Sequence, residues 1–354
     1  MIWTITPNPA MDITYHLPAL NLGQSHRVED VTIRPGGKGL NVAFVAAQMG
    51  VDVQVVGFLG GSVGQDIAQL TTARAKSLPG SITPHWLDGP ELTRKSIAIV
   101  ADGDATVFNE AGSPLKQGAW EALYRLVQEE IGPDDIVTIN GSLPALAPID
   151  ALGKLVEHCQ QAGAYTIVDT SGPALLAAAR SGARLLKPNH LELAQVTGTD
   201  SVLTGAHTLL AEGKPGMWLA VSMGEKGMAL IRSLPDDADV LDIWQAFPAS
   251  RLDGNPTGAG DASVAALAVH APALVNPGGR SEHQIRILPD LLEENDPSQA
   301  LKGDLPGEAL ALKTAVAWSA AAVLKPVAGS IDEHAASSMF SSIPVHHYYA
   351  KVQK

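Results

Sequence analysis

The chain has 354 residues, 45% hydrophobic and 17% charged, enough to bury a real core and too apolar for a disordered protein. A formal net charge of −13 excludes nonspecific binding to nucleic acid or docking on anionic membranes, although a local cluster of Arg and Lys can still hold an anionic substrate. The single cysteine, Cys159, excludes an internal disulfide and any multi-cysteine metal site. No leader pattern and no apolar run of about 18 residues is visible, so a cytoplasmic protein is expected.

Met1 to Thr6 reads as a buried strand that breaks at Pro7-Asn8-Pro9 and delivers Asp12 to its end. Residues 13 to 34 alternate loosely and predict short, exposed strands. Pro35-Gly36-Gly37-Lys38-Gly39 then opens a helix carrying Asn41, Val42 and Val45. This is no Walker A loop, because Gly39 stands where Ser or Thr is required. Strand 53–57, helix 63–75, strand 82–87 and a hairpin over 92–100 and 105–110 follow. From Pro114 strands and helices alternate regularly, which predicts an α/β fold: a doubly wound, mostly parallel sheet flanked by helices, with a small β-sheet lid. Asn140-Gly141-Ser142, Asp169-Thr170-Ser171-Gly172 and Lys187-Pro188-Asn189 each end a predicted strand, the edge at which such sheets bind ligands.

A second glycine turn, Gly254 to Gly260, runs into an alanine-rich helix with Asp261 in its first turn. Such a turn presents unpaired N–H groups backed by the positive end of the helix dipole. A carboxylate there repels the anion that the turn attracts. One resolution is that Asp261 takes the proton of a nucleophile while the N–H groups hold the phosphoryl group under attack. The other is that Asp261 merely complements the dipole. Residues 271–306, rich in Pro, Gly and charge, read as a surface excursion with one helix near Gln284 to Glu294. Helices over Glu308 to Leu324 and within Gly329 to Phe340 follow, and His346-His347 reads as a polar tail.

The order of these motifs resembles the ribokinase-like PfkB carbohydrate kinases, in particular their hexose-phosphate branch. The resemblance is carried by Thr6 to Asp12, Pro35 to Ala43, Asn140 to Pro144, Val168 to Gly172, Lys187 to Leu193, Ser222 to Gly227 and Pro256 to Asp261, in family order, covering residues 1 to about 270 and resuming near 308. It implies transfer of the γ-phosphate of ATP to the terminal hydroxymethyl of a ketohexose monophosphate. Fructose 1-phosphate is the first expectation, with tagatose 6-phosphate or fructose 6-phosphate as the alternative. Asp261 then resembles the general base and the N–H groups of Gly258, Ala259 and Gly260 the anion hole. Asp12, with Gly37 and Asn41 beside it, resembles the ligand of the sugar hydroxyls. Arg27, Lys38 and Arg94 are the candidate phosphate cations, with Ser142 as a further donor. Lys187, Ser222, Gly224, Gly227 and Thr257 resemble nucleotide contacts, and Asn189 with Glu192 the motif that holds Mg²⁺ through water.

The implied division is a kinase core over 1–11, 36–87 and 111–354 with a lid over 12–35 and 88–110. Ile13, Tyr15, Val31, Ile33, Ile97 and Ile99 give the lid an apolar face through which two copies are expected to form a homodimer. The expected partners are a phosphosugar and ATP, without nucleic acid or membrane. The excursion at 271–306 is longer than the branch usually has where the family contacts adenine. A reading from a different class is a non-catalytic sugar-phosphate sensor, which would show the loss of Asp261 or its glycine turn; both are present.

Overall fold

The structure, a computed structural model, describes residues 1–101, 104–248, 250–275, 285–288, 290–292, 295–296 and 300–352. In chain order the elements begin with β1 (Ile2–Thr6), β2 (Ala10–His16), β3 (Asp30–Gly36), α1 (Lys38–Gln48), β4 (Val53–Leu59) and α2 (Gly61–Ala75). Next come β5 (Ile82–Asp88), β6 (Arg94–Ala101), β7 (Asp104–Asn109), α3 (Ala119–Glu130), β8 (Ile136–Asn140), α4 (Ala151–Gln161), β9 (Tyr165–Asp169) and α5 (Pro173–Ser181). They continue with β10 (Leu185–Leu186), α6 (His190–Thr197), α7 (Val202–Glu212), β11 (Trp218–Ser222), β12 (Met228–Leu234) and β13 (Asp237–Ala246). The chain ends with α8 (Ala259–Val275), β14 (Ile285–Leu288), α9 (Gly307–Val323), α10 (Glu333–Ser342) and β15 (Val345–Val352).

Among the described residues eleven strands form one sheet in the order β14-β15-β13-β12-β11-β10-β9-β8-β1-β4-β5. The run from β5 to β11 is parallel, while β12, β13 and β15 pair antiparallel. The central strands β1, β8 and β9 are buried along their whole length, because helices cover both faces. Alternate residues feed separate cores: Tyr165 and Ile167 pack with α1, α8 and α9, whereas Val168 packs with α4, α5 and α7. Thr6, Asn140 and Asp169 therefore end adjacent strands on the α1/α8 side. All three are buried.

The smaller sheet has the order β3-β2-β6-β7. Its register sorts the side chains by face, because side chains alternate along a strand. Ile13, Ile33, Ile97 and Phe108 stand abreast on one face; Asp12, Arg34, Ser96 and Asn109 stand abreast on the other. Ile33 and Phe108 remain exposed.

Two sequence expectations are corrected. The helix expected near 284–294 is extended backbone at Ile285–Leu288, paired parallel with β15. The alternation of Ile285 and Ile287, with Leu288 preceding Pro289, favours that state. His346-His347 is not a tail but part of buried β15. His347 stacks on Trp244 at 3.8 Å between ring centroids, and its Nε2 hydrogen-bonds Asp242 at 2.8 Å. Strand β13 and helix α7 were also missed in the sequence. Among the described residues no helix is long and apolar enough to cross a membrane.

Candidate active site

The carboxyl ends of β1, β8, β9 and β10 converge on the starts of α1 and α8. Gly258 precedes α8 with φ +88°, a conformation that side chains resist, and a Cβ there would lie 2.7 Å from Ala328 Cβ. Only glycine fits. The Ala259 N–H turns back to Pro256 O at 3.2 Å, and Thr257 N–H donates to Asn255 Oδ1 at 3.0 Å. Among the described residues no protein acceptor is recorded for the N–H groups of Gly258 and Gly260, so of the three predicted anion-hole donors these two are open.

Asp261 is 6% exposed and accepts a hydrogen bond from Asn41 Nδ2 at 2.8 Å. Burial raises its pKa to about 6; Lys38 opposes the rise, Asp169 adds to it, and Asn41 and Lys187 oppose it. A carboxylate with this proton affinity can accept a proton near neutral pH. The charges around it are organised by Asp169, which is 1% exposed. Its Oδ1 lies 3.3 Å from Lys38 Nζ and 3.7 Å from Lys187 Nζ. Burial alone would raise the Asp169 carboxyl, but Lys187 and Lys38 outweigh it and hold it below its ordinary value. Asp169 in turn raises Lys38, which is therefore a cation. The Lys187 ammonium stands 3.4 Å from where a Cβ on Gly260 would be, beside the open turn.

Asp12 rises from β2 over the same space. Gly36, diagonal to it on β3, must be glycine, because a Cβ there would overlap its carboxylate. Burial lifts Asp12 to about 7, against Arg94, with Asp261 adding to the rise and Arg34 opposing it. Arg94 donates to Asn8 O and Glu110 O, each at 3.2 Å. Asn8 Nδ2 reaches Ser142 Oγ at 3.4 Å, which joins Arg94 and Ser142 in one cluster. Arg27 is not brought in. It is exposed on the loop between β2 and β3, with no recorded tie to another described residue. Arg34 takes the place beside Asp12 that sequence reasoning missed, and it donates to Ala328 O at 3.4 Å. Arg74, from the last turn of α2, donates to the neighbouring Gly329 O and is pushed down to about 9 by burial and by Arg34. The signal for Arg34 was the hairpin register, which places it directly across from Asp12 and two residues before the glycine turn.

On the other side of Gly260 lies a cleft of about 610 Å³. It is lined by Asn189, Ser222, Gly224 and Gly227, by Pro256 to Ser263 in part, and by Val316, Ala320 and Val323 of α9. No described residue of the expected 271–306 excursion lines it; its start, through Val275, instead continues α8 with Ala271 and Leu274 buried, Asp290 caps α7 through Val202 N and Leu203 N, and Leu292 O accepts from Gln245. Asn189 and Glu192 form a reciprocal capping box on α6, with both bonds at 2.8 Å. That box uses Asn189 Oδ1 and Glu192 Oε2. Glu192 still contributes to the raised pKa of Lys38, so its charge is felt in the site. Among the described residues no group of three His, Cys, Asp or Glu could hold a metal directly.

The sequence pattern of the pfkB family carbohydrate kinases matches residues 6–284. The chain belongs to that family. It is an ATP-dependent carbohydrate kinase with the ribokinase-like α/β fold. Similar solved structures include phosphofructokinase-2 from Escherichia coli in complex with potassium, 22% identical, with a TM-score of 0.76 over 96% of this chain and 98% of that one. A possible 1-phosphofructokinase from Thermotoga maritima is 19% identical, with a TM-score of 0.69 over 98% and 99%. Ribokinase from Arabidopsis thaliana, complexed with ribose and ATP, is 19% identical, with a TM-score of 0.60 over 96% and 98%. At these identities the likeness is one of fold.

Proposed function

We propose that this kinase phosphorylates the terminal hydroxymethyl of a ketohexose monophosphate, with fructose 1-phosphate converted to fructose 1,6-bisphosphate. The observation that carries the reading is buried Asp261, held by Asn41 beside the open N–H groups of Gly258 and Gly260, with Lys38 and Arg94 on the acceptor side. An uncharged sugar would bring those cations no anion beyond the protein carboxylates they already face, Asp169 for Lys38 and Asp12 for Arg94. The hydroxyl oxygen attacks the γ-phosphorus, the bond to the β-phosphate oxygen breaks, ADP leaves, and the hydroxyl proton passes to Asp261. Gly258 and Gly260 hold the transferring oxygens, with Ala259 completing the turn. Asp12, flanked by Gly37 and Asn41, accepts the sugar hydroxyls, and Lys38, Arg94 and Ser142 hold its phosphate.

The nucleotide occupies the 610 Å³ cleft, its phosphates directed at Lys187 and Thr257 and its remainder against Ser222, Gly224 and Gly227. Mg²⁺ keeps most of its waters and needs few protein ligands, so Glu192, with Asn189 fixing its orientation, suffices to hold it through water. When bound, the ion neutralises phosphate charge. The smaller sheet acts as the lid that excludes water. Its apolar face, with Ile33 and Phe108 exposed, supports pairing of two lids in a homodimer; a sedimentation profile showing only monomer at micromolar concentration would count against that pairing.

A second acceptor is favoured by one comparison: a structure of phosphofructokinase-2 from Escherichia coli in complex with fructose-6-phosphate shares the fold at a TM-score of 0.73. The deciding experiment is ADP release with ATP and Mg²⁺ against fructose 1-phosphate, fructose 6-phosphate, tagatose 6-phosphate and unphosphorylated fructose. The reading predicts turnover with phosphosugars and the highest kcat/KM for fructose 1-phosphate. Turnover with free fructose alone would refute the phosphate role of Lys38 and Arg94.

A further inference from the structure

Asp169 ends β9 between the two halves of the site, and the scheme above gives it no task. Its Oδ1 is shared by Lys38 and Lys187 at 3.3 and 3.7 Å. Its Oδ2 is equally buried and has no protein donor among the described residues, so the two ammonium groups are its counter-charges. The dependence runs both ways. The Lys187 side chain is 4% exposed, and an ammonium buried that deeply needs a partner. Lys38 is 42% exposed. The two lysines come from different parts of the chain. Lys38 opens α1 beside the sugar-side glycines, and Lys187 precedes α6 beside Gly260 of the donor-side turn. One carboxylate oxygen thus fixes the distance between the cation that meets the acceptor and the cation that meets the donor.

We infer that Asp169 is a positioning residue that holds Lys38 and Lys187 at a fixed spacing on either side of the reacting centre, tying acceptor binding to donor binding. The inference rests on the kinase reading above. An ordinary structural ion pair would affect stability alone. A positioning pair affects both ligands and also the proton affinity of Asp261. The groups facing Asp261 are Lys38 and Asn41 from α1, Asp169 from β9, Lys187 ahead of α6, and Asp12 from the smaller sheet. The end of α9 near the glycine turn, residues 314–323, carries no charge. Removing the Asp169 charge takes away a negative neighbour and leaves two lysines uncompensated. Both changes favour ionised Asp261.

The test is Asp169→Asn, with folding checked by thermal melting and two readouts. Calorimetric titration with fructose 1-phosphate and, separately, with the non-hydrolysable ATP analogue AMP-PNP should show both Kd values raised by about 10-fold or more, since a small displacement of a positioning group is costly. The acid limb of kcat/KM should move to lower pH. An unchanged Kd for either ligand, or an acid limb that does not move, overturns the inference. If Asp169→Asn does not fold, Asp169→Glu replaces it. Its extra methylene displaces the carboxylate in a closed site while keeping the charge, so both Kd values rise and the acid limb stays; two unchanged Kd values overturn the inference. Phosphotransfer by the wild-type chain judges the kinase reading separately. A wild-type chain that binds neither ligand overturns both.

Discussion

The glycine turn at α8 and the smaller sheet face each other through Asp261 and Asp12 but are built in opposite ways. Around the turn, Asp261, Asp169, Lys187 and Asn41 are between 1% and 6% exposed, wedged between strand ends and buried helices. In the smaller sheet, Asp12, Arg34 and Arg94 are half-buried, and the opposite face carries exposed Ile33 and Phe108. The residues proposed for chemistry sit where packing over-determines them. Asp12 and Arg94, proposed for recognition, sit on an element with one face toward Asp261 and the other open, which can shift at little cost. Preorganised charge needs the first setting, and admitting a substrate needs the second.

The sharpest way to break this comparison is Asp261→Asn, which should lower kcat by about 10² to 10⁴ while AMP-PNP affinity barely changes. Unchanged turnover would remove the proposed base. Asp12→Ala should come next, lowering kcat/KM for the sugar by about 10² or more through lost hydroxyl contacts, as read in steady-state kinetics. Lys38→Ala should raise the KM for the phosphosugar by about 10-fold with a smaller change in kcat, since it removes one charge-assisted contact; an unaltered KM would refute its phosphate role. The smallest pair concerns stability. Leu40→Ala, at a fully buried position of α1, should cost about 2 to 5 kcal/mol in denaturant unfolding, whereas Ile33→Ala, 52% exposed, should cost under about 0.5 kcal/mol in a monomer. A much larger loss at Ile33 that depends on protein concentration would show that the apolar face is covered by a second copy.

The parts of this architecture legible in the sequence were those with local causes. The two glycine turns, the polar strand exits and Asp261 in a first helical turn are each written within about ten residues. What escaped depended on lateral partners. Ile285–Leu288 is a strand because β15 lies beside it, and His346-His347 is buried because Trp244 and Asp242 receive it. Arg34 escaped because its closeness to Asp12 is a matter of hairpin register, and residue type alone does not separate it from Arg27. Asp169 stood out as a polar strand exit, but its hold on two lysines from distant segments exists only in three dimensions.

The measurement that bears most directly on the buried base is the pH dependence of kcat/KM between pH 5 and 9 with the best acceptor. Asp261 must be ionised to take a proton, and burial places its pKa at about 6, with Asp12 at about 7 beside it. Activity should therefore fall as pH drops through 7 and 6, steepening where both carboxylates protonate. A profile flat from pH 8 down to 5 would contradict a buried carboxylate as the base.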